Sequence, residues 1–226
     1  MIAYGSAEAA DLEQWLAPSA SPPPVRFIPF GVDVDAFAPP AAAPTVDVVA
    51  VGADPHRDYA LLAAVAARTP TVSYTAVTAP EQVPVLSGLA NVAVETAVPF
   101  AQMRERLAQA RVVALPVVDN AYSGATTVLL QALALAKPVV VSRTAAIATG
   151  YGLVDGEACR FVPPGDTAAF EHAVLALLAD PHGAAGMGRR GRAHVERHLT
   201  WRQYADAVCE TVLTAARTAY EPRRGA

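Results

Sequence analysis

Short β-rich runs alternate with longer helical runs along most of the chain, and this alternation restricts the fold more than any other feature of the sequence. "VDVVAVG" precedes the helical pattern of "DYALLAAVAAR", "TVSYTAV" is again strand-like, and "NVAVE" precedes the helical "FAQMRERLAQA". Strands separated by helices of this length form right-handed βαβ units and a parallel sheet that is covered on both faces. The sequence therefore predicts a doubly wound α/β domain with a parallel sheet.

Both ends of the chain depart from this pattern. Residues 1–16 fit one strand and one helix, and residues 17–44 form a connection rich in Pro and Ala. We therefore expect the α/β domain to span residues 45–199 and residues 200–226 to form a C-terminal helix and tail. The strand and helix of residues 1–16 are interpreted as the remnant of another, N-terminal domain.

The charge and hydropathy of the chain argue against several classes of protein. A formal net charge of -4 lacks the cationic surplus with which proteins hold nucleic-acid backbones. No apolar run reaches the roughly 18 residues that span a bilayer, and the first residues lack the order of a signal peptide. We expect a cytoplasmic protein without a transmembrane segment and without a nucleic-acid partner.

Two strand-to-helix loops are candidates for ligand binding, because open parallel sheets bind ligands beyond the carboxyl ends of their strands. In "VAVGADPHRD", Gly52 permits close approach to the backbone, and the planar guanidinium of Arg57 suits a phosphate. The second loop, "LPVVDNAYSGATTVLLQ", leads into a helix whose free N–H groups would attract an anion. Small residues leave room there for a diphosphate: Ser123, Gly124, Ala125, Thr126 and Thr127. An ordinary turn with hydroxyl caps explains this second loop equally well.

The order and spacing of four segments are more specific than any one of them: "FIPFGVDVDAF", "VGADPHRDYALL", "LLQALALAKPVVVS" and "FVPPGDTAAFEHAVLALLAD". Together they resemble the C-terminal half of retaining glycosyltransferases of the GT-B fold, the large class that includes sucrose-phosphate and mannosyl transferases. The resemblance covers nearly the whole chain. It implies a Rossmann-like domain that binds a nucleotide-sugar donor and faces a second domain across a cleft. It implies neither a cofactor nor a metal.

The resemblance also assigns roles to individual residues. The family has two glutamates separated by seven residues, and these places are Ser123 and Gln131 here. Gln131 would accept hydrogen bonds from the ribose, whereas Ser123 is shorter and neutral where the family contacts the donor sugar. Ala53 replaces an arginine of the family, and Arg57 matches the second cation that binds the diphosphate. Val98 matches the place where the base stacks.

Other patterns give weaker hypotheses. His194 and His198 lie one helical turn apart, as metal ligands often do, but no third ligand is evident, so we expect no metal site. "AYSGA" lacks the first glycine of a serine-hydrolase elbow. Lys137, the only lysine of the chain, is interpreted as part of a surface turn.

The resemblance implies that the acceptor site lies on a complementary N-terminal domain or subunit. We therefore expect a homodimer or a complex with such a glycosyltransferase subunit, and a chain inactive by itself. A non-catalytic nucleotide-sugar-binding or regulatory subunit is the alternative, because Ala53 and Ser123 replace polar contacts of the family. A truncated form of a longer enzyme is a third interpretation. The sequence identifies neither the base nor the sugar nor the acceptor.

Overall fold

A six-stranded parallel sheet forms the centre of the computed structural model, which describes residues 1–120 and 124–220 and the side chains up to Arg217. The strands of this part of the chain are β1 (Ile2–Ala3), β2 (Arg26–Phe27), β3 (Val46–Val51), β4 (Tyr74–Thr78), β5 (Val92–Thr96), β6 (Ala110–Leu115), β7 (Val139–Ser142) and β8 (Arg160–Val162). The order in the large sheet is β5-β4-β3-β6-β7-β8. This confirms the predicted doubly wound α/β fold.

Helices connect successive strands and cover both faces of the sheet. They are α1 (Ser6–Leu16), α2 (Tyr59–Arg68), α3 (Val83–Leu86), α4 (Phe100–Gln109), α5 (Thr126–Ala134), α6 (Ala145–Ala148), α7 (Thr167–Ala179), α8 (Pro181–His198) and α9 (Trp201–Tyr220), with a 3-10 turn at Pro80–Gln82. Helices α2 and α7 begin directly after Asp58 and Asp166. Each aspartate caps its helix by accepting a hydrogen bond from a backbone N–H, that of Leu61 at 2.8 Å or of Ala169 at 2.9 Å.

The apolar strands explain why the sheet is buried on both sides. In β3, Val49 and Val51 belong to the core on one face, whereas Val48 and Ala50 belong to the core on the other. Helix α5 packs on the first face and helices α2 and α7 on the second. Because successive side chains of a strand point to opposite faces, a strand covered on both sides has to be apolar throughout.

The N-terminal segment forms a small βαβ unit of its own. Strand β1 pairs in parallel with β2, and α1 lies between them in the chain. The hydroxyl of Tyr151 donates to the carbonyl of Tyr4 at 2.7 Å and accepts from the N–H of Phe30 at 3.1 Å. The connection predicted at residues 17–44 thus contains strand β2. The two hydrogen bonds of Tyr151 attach the N-terminal unit to the large domain.

Helix α9 returns across the N-terminal segment. The ring of Tyr204 stacks on Phe30, with 5.3 Å between the ring centroids. Large apolar side chains are exposed on both helices of this region, among them Trp15 of α1 and Trp201 and Leu213 of α9. No helix in residues 1–120 and 124–220 combines the length and apolar character needed to cross a bilayer.

Candidate functional site

The strand order reverses between β3 and β6, and the loops that follow these two strands meet there. The N–H of Asp58 donates to the carbonyl of Pro116 at 3.0 Å, and the N–H of Val118 donates to the carbonyl of His56 at 2.9 Å. Arg57 and Val117 form an isolated antiparallel bridge. The two candidate loops of the sequence therefore form one joined surface at the switch point of the sheet, where open α/β domains bind ligands.

Gly52 directly follows β3 and has a φ of 153°, a conformation that favours glycine. The hydroxyls of Tyr59 and Thr78 donate to its carbonyl at 2.7 and 3.1 Å. The group that lies against the α-carbon of Gly52 is the guanidinium of Arg57, and an added Cβ would overlap its Nε. The glycine therefore makes room for the side chain that the sequence predicts as the phosphate ligand.

Arg57 is a buried cation, with 5% of its surface exposed. Within the described residues its Nε and Nη1 have no hydrogen-bond partner. Burial lowers the pKa of Arg57 from its ordinary value, and the nearby Tyr59 and Asp54 oppose that shift. A guanidinium stays protonated even so, because its ordinary pKa is far above neutrality. Such a group is suited to an anionic ligand that supplies the missing acceptors.

The second loop leads into α5. Gly124 lies in a turn, Ala125 is the residue before the helix, and Thr126 and Thr127 open it. No side chain caps this helix start within the described residues, so its first N–H groups stay available to a ligand. Ala125 and Thr126 are buried, whereas Thr127 is exposed. Ser123 lies outside the described residues.

Gln131 lies further along α5, on the wall of a pocket of about 260 Å³. The side chain is 8% exposed, and its Oε1 finds no hydrogen-bond donor in residues 1–120 and 124–220. The other described residues around the pocket are Phe30, Gly31, Val32, Asp33, Phe37, Thr127 and Trp201. A buried carbonyl oxygen without a donor, on a residue that lines a pocket, is a candidate acceptor for a ligand hydroxyl.

The structure thus distributes the predicted residues over two neighbouring places. Gly52 and Arg57 lie at the switch point, and Thr127 and Gln131 line the pocket along α5. Val98 follows β5, is half-buried, and packs against the core cluster that contains Phe37. Val98 is not among the described residues that line the Gln131 pocket.

Sequence reasoning overlooked several residues of this region. Residues 30–37 lie within "FIPFGVDVDAF", one of the four segments that carry the family resemblance, but sequence reasoning assigned none of them a role in a pocket wall. Thr144 follows β7, and its buried hydroxyl has no partner among the described residues. Its position just beyond the carboxyl end of a strand is the signal that could have found it.

The interpretation of Lys137 as a surface residue is wrong. Lys137 is 7% exposed, and its Nζ donates to the carbonyl of Ala110 at 3.0 Å, at the end of the sheet opposite to the switch point. Burial lowers its pKa from 10.5 to about 8. The turn places Ala136 at a positive φ of 55° and directs the following lysine inward, which residue type alone does not reveal.

His194 and His198 do lie together on α8, with ring centroids 5.1 Å apart. The Nε2 of His194 is 2.8 Å from the carbonyl of Tyr151, so a backbone group engages that ring. Within the described part of the chain no three His, Cys, Asp or Glu side chains come together in a way that could hold a metal ion.

The strand order and the helices on both faces of the sheet define a Rossmann-like domain of the GT-B type. Sucrose-phosphate synthase from Thermosynechococcus elongatus has this fold with a TM-score of 0.80, at 21% identity over 96% of this chain and 58% of that chain. HepE of Anabaena, in complex with UDP and glucose, matches with a TM-score of 0.74 at 16% identity, over 93% of this chain and 62% of that one.

A separate C-terminal domain gives a third structural match. The C-terminal domain of a group 1 glycosyl transferase from Francisella tularensis has a TM-score of 0.62 at 15% identity, over 75% of this chain and 99% of that chain. Since this chain covers 58% of the synthase and 62% of HepE, it corresponds to part of those proteins. A search of curated protein sequences finds no match.

The family comparison points in the same direction as the fold. Residues 79–180 match the sequence model of a family described as "Glycosyl transferases group 1". This segment holds β6, α5 and the loop between them, which form one side of the candidate site. The resemblance to the C-terminal half of GT-B glycosyltransferases, predicted from four short segments, is thereby confirmed.

Proposed function

We propose that this domain binds the nucleoside diphosphate part of a nucleotide-sugar and serves as the donor-binding half of a glycosyltransferase. The observation that carries the proposal is the buried guanidinium of Arg57, whose Nε and Nη1 lack partners within the described residues at the switch point of the sheet. A buried cation without acceptors costs free energy that an anionic ligand would recover.

The diphosphate would lie between Arg57 and the start of α5. Arg57 would contribute charge-assisted hydrogen bonds, and the first N–H groups of α5, beyond Gly124 and Ala125, would contribute backbone donors. In a transfer reaction the bond between the sugar and the diphosphate breaks, and negative charge develops on the leaving oxygen. Donors already fixed around the diphosphate stabilise that charge.

The nucleoside would extend from the diphosphate along α5. The Oε1 of Gln131 is the acceptor suited to a ribose hydroxyl, and the pocket that Gln131 lines is also lined by Phe30, Phe37 and Trp201. Val98, after β5, is the residue against which the base would stack. HepE binds UDP and UDP-glucose in its solved structures, which supports this class of ligand.

The reaction that we propose is transfer of the sugar to a hydroxyl acceptor with retention at the anomeric carbon. The acceptor and much of the sugar pocket would lie on a facing N-terminal domain, whether on the same polypeptide or on a partner subunit. Closure of two such domains excludes water from the donor sugar. Positive groups of the protein would balance the diphosphate charge without a metal ion.

Titration calorimetry against UDP, GDP and ADP tests the proposed binding. We expect at least one of them to bind measurably and the three affinities to differ, because the base contacts the protein. No binding of any of the three at millimolar concentration would contradict the proposal. The Arg57→Met variant, described in the Discussion, shows whether the binding uses the proposed site.

A non-catalytic binding or regulatory subunit is the second candidate function. The observation that favours it is Ala53, an exposed residue in the loop after β3, which supplies no cation there. Loss of a side chain that binds the diphosphate weakens stabilisation of the charge on the leaving group more than it weakens binding of the nucleotide-sugar. Binding without turnover, even with the facing domain present, would identify this second function.

A further inference from the structure

We infer that Arg192, a residue of α8 outside the site, positions the two walls of the Gln131 pocket, an inference that rests on the proposed nucleotide binding. The Nη1 of Arg192 lies 2.6 Å from the carbonyl of Ala134, 2.8 Å from that of Val34 and 3.0 Å from that of Phe37. The two hydrogens of this NH2 group are shared among the three carbonyls, and the group bridges the end of α5 and the segment 30–37.

The first of these contacts fixes the helix that carries Gln131. Ala134 is the last residue of α5, and carbonyls at the end of a helix lack intrahelical partners. The turn after α5 uses the carbonyls of Gln131, Ala132 and Leu133 instead, so Arg192 satisfies the carbonyl of Ala134. A cation at this end also interacts favourably with the helix dipole.

The other two contacts fix the opposite wall of the pocket. Residues 30–37 contribute Phe30, Gly31, Val32, Asp33 and Phe37 to the lining. The carboxylate of Asp33 accepts hydrogen bonds from the N–H groups of Asp35 at 3.1 Å and Ala36 at 2.9 Å, which shapes this segment internally. Arg192 holds the shaped segment against α5 and thereby sets the width of the pocket.

The arginine itself is held rigidly by its own helix. A Cβ at Gly188 would overlap the carbonyl of Ala136, and one at Gly191 would lie 2.7 Å from Leu133 Cδ2. Helix α8 therefore packs so closely on α5 and the turn after it that only glycine fits at these two positions. Glu196 pairs with the Nε of Arg192 at 2.6 Å. Because both backbone and guanidinium are constrained, the three carbonyls cannot separate without breaking charge-assisted bonds.

Arg190, on the same helix, offers a matched control. Its Nε and Nη2 donate to the carbonyls of Glu157 at 3.1 Å and Gly156 at 3.3 Å. Neither residue is among the described lining of the Gln131 pocket. Arg190→Met therefore removes arginine-to-carbonyl bonds from α8 without touching the pocket walls.

The test compares ligands that use different parts of the site. Wild type, Arg192→Met, Arg192→Lys and Arg190→Met are titrated with UDP, GDP and ADP, with the matching nucleosides, and with inorganic pyrophosphate. We expect Arg192→Met to weaken the nucleoside and its diphosphate alike, by about tenfold, and to leave pyrophosphate binding unchanged. Arg192→Lys keeps the charge and should lose less, whereas Arg190→Met should bind every ligand like wild type.

Hydrogen exchange supplies a readout that needs no ligand. Peptides covering residues 30–37 should exchange faster in Arg192→Met and Arg192→Lys than in Arg190→Met. Unchanged nucleoside affinity in Arg192→Met, or an equal loss of pyrophosphate binding, would overturn the inference while leaving the proposed function intact. If Arg192→Met does not fold, the same two outcomes in Arg192→Lys decide. Failure of wild type to bind any nucleotide would overturn the proposed function and this inference with it.

Discussion

The guanidinium of Arg57 lies against the α-carbon of Gly52, with its Cζ 2.7 Å from the place where a Cβ would stand. The carbonyl of the same glycine accepts hydrogen bonds from Tyr59 and Thr78. Two hydroxyls therefore fix the carbonyl of Gly52, and the absence of a side chain at this residue leaves space for the buried guanidinium of Arg57. The proposed phosphate ligand depends on a glycine five residues before it.

Replacing Gly52 by Ala should damage both stability and binding. A side chain at a φ of 153° strains the backbone, and the new Cβ would also push Arg57 from its seat. We expect the free energy of unfolding to fall by about 1–3 kcal/mol, measured by urea denaturation. The affinity for a nucleoside diphosphate, measured by calorimetry, should fall as well.

Gly88→Ala is the matched control for this prediction. Gly88 also has a positive φ, 85°, but no atom lies within 4 Å of an added Cβ. It should lose stability through backbone strain and keep wild-type affinity. If Gly52→Ala also binds the nucleoside diphosphate like wild type, the position of Arg57 against Gly52 has no role in binding.

Gln131→Leu should weaken nucleosides and nucleoside diphosphates by the same factor, because the ribose is common to both. A loss of about 1 kcal/mol is expected for one hydrogen bond. Stability should not fall, since the substitution removes a buried oxygen that has no partner within the described residues. Gln109→Leu, at the end of α4 and outside the pocket, is the control. A variant that loses stability and keeps its affinity would make Gln131 a structural residue.

The buried Lys137 should make stability depend on pH. Its pKa is lowered from 10.5 to about 8 by burial, so the unfolded chain holds the proton more tightly than the folded protein does. Below about pH 8 the folded state carries the full cost of the buried charge, and stability rises as the pH increases from about 8 towards 10.5. The stability of wild type relative to Lys137→Met should therefore increase over this range.

Urea denaturation of both proteins at several pH values measures that difference, and groups common to both cancel. A difference that stays flat or decreases with pH would contradict the prediction. Because Lys137 is the only lysine, the pH dependence of its reaction with an amine reagent, followed by mass spectrometry, also gives its pKa directly.

The chain of residues 1–226 should not turn over a nucleotide-sugar by itself. Ala53 supplies no cation, and the proposed facing domain is needed to exclude water. Trp15, Trp201 and Leu213 are exposed large apolar side chains of the kind that a partner covers, so we expect a homodimer or a complex. Light scattering after size-exclusion chromatography measures the oligomeric state, and a donor-hydrolysis assay measures turnover. A monomer that hydrolyses or transfers the donor would contradict the account.

Local patterns made most of the fold predictable. The strands β3 and β7 are formed by largely apolar runs, which the sequence shows directly. The helix caps are local too, because Asp58 and Asp166 each accept a hydrogen bond from a backbone N–H three residues further along the chain. The position of Arg57 between the glycine after β3 and the start of α2 was also visible in the sequence, whereas its role as a phosphate ligand stays a prediction.

Long-range contacts explain what the sequence did not reveal. Arg192 bonds to Val34, 158 residues away, and lies in an arginine-rich helix that resembles a solvated surface. The burial of Lys137 depends on where the turn after α5 meets β6. Such relationships exist only after the chain has folded, and no spacing in the sequence marks them.

Calorimetry on Arg57→Met tests the central claim, that this buried cation holds the diphosphate of a nucleotide. The account predicts a loss of roughly 1.5–3 kcal/mol for the nucleoside diphosphate that binds wild type best, with affinity for its nucleoside nearly unchanged. Arg68→Met, which removes an exposed arginine at the other end of α2, should bind like wild type. Equal losses for both ligands in Arg57→Met, or no loss for either, would contradict the account.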